Sequence, residues 1–134
     1  MQSKQVVAQH RCSGAWRSKV NNQDDGYIIV SHLDPNTGIF SGTHYVPDGT
    51  GGFESRNING QCQHSDPGGG ESHFIQFRET AANNTTYVYA GPIVPKPGDL
   101  DEVTDGRRQS LFLNLDKREA RLMDDDEWTA VKTT

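Results

Sequence analysis

The stretch "GIFSGTHYVPDGTGGFESRNINGQCQHSDP" (Gly38–Pro67) decides the fold. It reads as two strands joined by a glycine-rich loop, and each strand carries one glycine inside it, Gly42 and Gly60. Glycine packs nothing and costs backbone entropy in a strand, so two of them in consecutive strands ask for a reason. A small closed barrel supplies one. Its strands bend sharply, and an inward glycine permits the bend and leaves room in the lumen. Gly42 shares a face with Phe40 and His44, so an inward Gly42 makes His44 inward as well.

Strand signals continue on both sides of this stretch. "RCSGAWRS" comes first, centred on Trp16. "DGYIIVSHL" alternates Tyr27, Ile29 and Ser31 against Ile28, Val30 and His32. "PNTG" (Pro35–Gly38) is a turn. After "SDPGGGE", the segment "SHFIQFRE" sets His73, Ile75 and Phe77 against Phe74, Gln76 and Arg78. "TTYVYAGPIV" follows, then "PKPGDLDEVTDGRRQ". With Pro92, Pro95 and Pro97 and mixed charges, residues 92–109 read as a long polar loop. "SLFLNLD" is a seventh strand. "ARLMDDDEWTAVKTT" closes the chain as one long bent strand or as two pieces. Helical periodicity is hard to find. About eight strands spaced by short turns predict an all-β, antiparallel up-and-down barrel, since closure removes the exposed edges. An interior of eight strands is just wide enough for one small ligand.

The bulk numbers agree with one domain spanning 1–134, its first ten residues a tail. The chain has 134 residues, 32% of them hydrophobic, with 14 glycines and 6 prolines, enough for one thin core. A net charge of −5 without a basic stripe argues against nucleic acid. No apolar run approaches the roughly 20 residues of a membrane helix. "MQSKQVVAQHRC" shows no apolar signal segment. The expected location is therefore cytoplasmic, or secreted or periplasmic if a leader was removed. Cys12 and Cys62 suit one disulfide in an oxidising compartment or two buried thiols in a reducing one. "NNTT" (Asn83–Thr86) holds two overlapping glycosylation acceptor patterns, meaningful only in a eukaryotic secretory pathway.

In this order and spacing the motifs resemble the avidin and streptavidin family of biotin-binding barrels, within the calycins. The carriers are "SGAW" (Gly14, Trp16) with Cys12 just before it, "FSGTHY" (Phe40–Tyr45), the triplet Glu54-Ser55-Arg56, the aromatic strand "HFIQFRE", "TTYVYAGPI", and "DDDEW" with Trp128. The resemblance implies one buried ligand pocket per subunit and a homo-oligomer, dimer or tetramer. It also marks departures. Ser18 stands at the family's ureido-binding asparagine, and His44, or Tyr45 if the register slips by one, at its tyrosine. Thr85 and Tyr87 fall near its sixth-strand serine and threonine. Phe77, Tyr89 and Phe112 replace tryptophan walls, with Trp128 kept. The polar ring that grips biotin is thus largely rewritten, and each missing partner of a buried group costs about 1–3 kcal/mol.

Ser18, His44, Thr85, Tyr87 and Tyr89 are therefore the candidate polar contacts, and Phe77, Phe112 and Trp128 the candidate walls. The function expected is non-catalytic binding of a small molecule, with biotin or a relative, held weakly, as the first ligand to try. No cofactor is implied. Three competing readings remain open. The lumen is filled and residues 92–109 bind a macromolecule. His44 works with a second acid–base partner in an enzyme. Or each candidate is ordinary core, as an inward histidine and a tyrosine stripe often are. The five histidines show no metal spacing. The acids of "MDDDEW" read as a solvated loop with, at most, weak calcium affinity. Asp24 and Asp25 read as turn-capping residues.

Overall fold

Eight strands follow one another around a closed sheet in the computed structural model, which describes residues 11–65, 72–81 and 84–133. They are β1 (Gly14–Val20), β2 (Gln23–Leu33), β3 (Ile39–Pro47), β4 (Phe53–Ser65), β5 (Ser72–Thr80), β6 (Thr85–Val94), β7 (Glu102–Asn114) and β8 (Glu119–Thr133). Each pairs antiparallel with the next, and β8 closes on β1 from Ala15↔Thr133 to Val20↔Trp128. Period-2 patterning drives this. In β5, His73, Ile75, Phe77 and Glu79 are buried while Phe74, Gln76, Arg78 and Thr80 face out. The tail assigned to residues 1–10 lies outside the described residues, as does Asn83 of the glycosylation pattern.

One end of the barrel is apolar and stapled. Cys12 and Cys62 form a disulfide, packed in the buried core with Trp16, Ile28, Ile75 and Ile93. The Trp16 indole N–H donates to the Cys12 carbonyl at 2.9 Å. Arg11 reaches the buried Asp101 carboxylate at 3.0 Å, which ties the chain's entry to the segment before β7.

The two strand glycines have a more specific reason than strand bending. Gly42 faces Val30 where β2 bulges between Val30 and His32, and a Cβ on Gly42 would collide with the Ile29 carbonyl oxygen. That bulge also turns His32 outward, against the alternation read from the sequence. Gly60 pairs with Phe77. A Cβ there would collide with the Gln76 carbonyl oxygen and sit 2.6 Å from the Phe77 Cβ. What the glycines permit is the close approach of the neighbouring backbone. Gly60→Ala is expected to cost about 2 kcal/mol through overpacking, read as a lowered urea midpoint with an unchanged slope.

The predicted loop over residues 92–109 is overturned. Pro92 belongs to β6, at the point where its register against β7 shifts between Ala90 and Ile93, an irregularity of the kind that tolerates proline in a strand. β7 already begins at Glu102. The connection shrinks to Pro95–Asp101, with one 3-10 turn at Pro97–Asp99. The acidic run is overturned as a loop as well. It lies inside β8, which is one continuous strand, and its charges are answered across the ladder. Asp124 accepts from the Ser110 hydroxyl (2.8 Å), Asp125 from Arg107 (3.0 Å) and Asp126 from Arg108 (2.7 Å).

Candidate functional site at the polar end of the barrel

Asp25 is delivered to the lumen by a bulge. Between Arg17↔Tyr27 and Lys19↔Asp24, both Asp25 and Gly26 oppose the single residue Ser18. Gly26 takes φ +81°, and a Cβ there would collide with the Tyr45 carbonyl oxygen, so only glycine fits. Asp25 is therefore a buried lumen residue, and its reading as a turn cap is corrected.

Around it a chain of hydrogen bonds crosses the barrel. The Trp128 indole donates to the Ser18 hydroxyl, and Ser18 donates to Asp25 Oδ2, each at 2.9 Å. The Tyr89 hydroxyl donates to the same oxygen at 2.9 Å. His44 Nε2 lies 2.6 Å from the Asp25 carbonyl and 3.3 Å from its Oδ2. His44 Nδ1 meets Glu79 Oε1 at 2.5 Å. Glu79 Oε2 accepts from Arg56 Nη1 at 2.9 Å, and Arg56 Nε donates to Glu54 at 2.9 Å. Ser18, His44 and Glu79 are at most 1% exposed.

The proton positions follow from the partners. A carbonyl oxygen cannot donate, so His44 Nε2 carries a hydrogen. Nδ1 faces a carboxylate, so it carries one too, and the ring is an imidazolium. Burial on its own would lower the His44 pKa. The hydrogen bonds and charges of Asp25 and Glu79 outweigh it and hold the group up at about 9. For Asp25, burial would raise the pKa, but His44 and the Ser18 and Tyr89 donors hold it below its ordinary value. Burial, reinforced by the Asp25 and Glu79 charges, pushes the Tyr89 phenol well above its usual range. From Asp25 through His44, Glu79 and Arg56 to Glu54, carboxylates and cations thus alternate.

Of the candidates named from sequence, Ser18, His44, Tyr89 and Trp128 meet in this network. Phe77 stacks on Tyr89 (4.6 Å between centroids, 13° between planes) and meets Trp128 edge-on at 5.7 Å. These rings fill the lumen: Phe77 is 2% exposed, Tyr89 and Trp128 1% each. Tyr87 lies further toward the mouth, its ring beneath Arg108 (4.8 Å) and Arg56 (5.6 Å). Thr85 and Phe112 pair with each other at the rim, where Arg121 covers Phe112 at 5.6 Å. Phe112 is thus no wall of the buried aromatic layer, because it sits too far along β7 to reach Phe77.

Asp25, Glu79 and the inward role of Arg56 were missed. The signal for Glu79 was present, since it extends the His73–Ile75–Phe77 alternation by one step. Asp25 had only the "DDG" triplet, which turns and bulges share.

The network reaches the surface at a gap between β4 and β5. β4 pairs with β3 from Phe53 onward but with β5 only from Ile58 onward. The gap forms a groove of about 540 Å³, lined by Glu54, Arg56, Asn57, Arg78, Glu79 and Thr86 among others.

No family model and no curated protein sequence matches the chain. Solved structures do share its fold. One, described as AVR2, has 14% identity and a TM-score of 0.63, over 94% of this chain and 99% of that one. Another, a biotin binding protein from chicken, has 15% identity and a TM-score of 0.53, over 92% of this chain and 98% of that one. The chain therefore has the avidin-like barrel fold.

Proposed function

We propose that the protein is a non-catalytic binding barrel that takes a small polar molecule at the groove beside Arg56 and Glu79. The observation that carries this is the line of buried charge ending there. A barrel needing only a core does as well or better with apolar residues, since a buried ion pair rarely repays its desolvation. A line from Asp25 through His44 and Glu79 to Arg56 does something a plain core does not: it fixes a guanidinium at the mouth. Ser18, His44, Tyr89 and Trp128 are then positioning residues, Tyr87 lies beneath the guanidinium, and Arg56 contacts the ligand. His44 has both ring nitrogens engaged, which argues for binding over acid–base turnover. With the connection between β6 and β7 reduced to Pro95–Asp101, the partner-binding alternative loses its long loop.

Biotin is the first ligand to test, because a protein of this fold binds it and because its ureido and carboxylate groups suit the donors at the mouth. Affinity is expected to be micromolar, since the side chains Phe77, Tyr89 and Trp128 occupy the deep lumen. With a Kd of about 10 μM, 1 mM biotin adds about 2.7 kcal/mol, or roughly ten degrees in Tm. Arg56→Ala, compared with its own ligand-free Tm, is expected to abolish the gain. No shift at 1 mM for the wild type would overturn biotin as the ligand. A shift that Arg56→Ala leaves intact would overturn the site. The disulfide supports a secreted or periplasmic location. Exposed aromatics on the outer face, with Tyr27 and Phe53 in edge contact at 6.1 Å, support a homo-oligomer.

A further inference from the structure

We propose that two copies of the chain associate through the free edge at the start of β8, from Glu119 to Arg121, paired antiparallel. This rests on the homo-oligomer proposed above and names its interface. β1 covers β8 only from Trp128 to Thr133, and Asn21 extends that cover to Glu127 and Asp126. Before that, β8 has β7 on one side and, among the described residues, no strand on the other. Residues Glu119 to Asp125 are all exposed. Such an edge offers a row of backbone donors and acceptors to another strand.

Two further features favour a second copy as the occupant. The outer face of the β7–β8 hairpin is apolar. Leu111 opposes Leu122 and Leu113 opposes Ala120, so all four share one face. Leu122 is 61% exposed, Met123 55% and Leu115 82%, a concentration at one tip that a monomer leaves in water. The charges are also self-complementary. Antiparallel pairing centred on Ala120 sets Glu119 of each copy opposite the second copy's Arg121, and two-fold symmetry makes this happen twice. Arg121 is already held over Phe112, on the same face as Glu119. Centring one residue later would place Arg121 against Arg121, so the register is selected by charge.

The contact is short, and a dimer of micromolar strength is expected. Sedimentation velocity from about 5 to about 500 μM should show a reversible monomer–dimer equilibrium. Arg121→Glu should weaken it at least about tenfold by setting like charges together. Combining Glu119→Arg with Arg121→Glu swaps the signs and should restore it to within about threefold of wild type. Circular dichroism of each variant confirms the barrel, which these exposed residues do not hold together. Association that Arg121→Glu leaves unchanged would overturn this interface while leaving the oligomer standing. A monomer throughout the range would overturn both.

Discussion

Glu79→Ala is expected to destabilise the barrel by about 3–5 kcal/mol, because it leaves a buried imidazolium and a half-buried guanidinium without their shared partner. Glu79 lies at 1% exposure between His44 and Arg56, one carboxylate oxygen on each. Glu79→Gln keeps the volume and one acceptor but not the charge, so it should lose a smaller part. The two variants separate packing from electrostatics. The pH dependence is a further signature. His44 is raised in the folded state, from 6.5 to about 9. Its contribution is fully present below pH 6.5 and is lost as pH rises through about 9, by about 3 kcal/mol in all. Asp25 is lowered. Its contribution is present above the ordinary carboxylate range and is lost as pH falls through its folded value. Urea midpoints of the wild type from pH 4 to 10 should therefore hold a plateau on the mildly acidic side and decline above neutrality. In Glu79→Gln the decline should move to lower pH, since a neutral amide no longer holds the proton on His44. An alkaline limb that neither Glu79→Gln nor His44→Gln alters would exclude this network as its source.

The same network shows what the sequence could and could not yield. Strand order was readable because alternation over β5 is clean and the turns carry glycine, proline or asparagine. The barrel followed from the count of strands. His44 was readable as inward because Gly42 and Phe40 share its face. Asp25 was not, since a bulge inverts facing without altering composition, and what demands Gly26 is the Tyr45 carbonyl on another strand. β7 was hidden for a related reason. Residues 102–109 are charged because their partners on β8 are charged, with Arg107 and Arg108 answering Asp125 and Asp126. Each half reads as a solvated loop when taken alone. Only the pairing turns two polar segments into a hairpin. Phe112 was misassigned by distance along the strand, which a family resemblance transfers only approximately.

Replacing both Cys12 and Cys62 with serine is expected to cost about 4 kcal/mol, the loop-closure value for two residues 50 apart in sequence. The effect should exceed that of most single core truncations because the bond fixes the start of the barrel. Arg11 and Cys12 precede β1, and their place depends on the disulfide, on Arg11 with Asp101, and on Lys132, which donates to the Arg11 carbonyl. The Cys12 carbonyl in turn holds the Trp16 indole. Losing the bond therefore loosens the apolar end first, while Ser18, Asp25, His44 and Glu79 keep their partners from other strands. Two readouts test this division. The urea midpoint of the double variant should fall by roughly 2 M at a typical slope, as should that of the wild type after reduction. Amide exchange should accelerate around Cys12–Trp16 well before it does around Asp25 and His44. A loss below about 1 kcal/mol would mean that the unfolded chain already holds these residues close. Uniform acceleration would mean that the two ends open together, so that the charged network relies on the staple at the far end of the lumen.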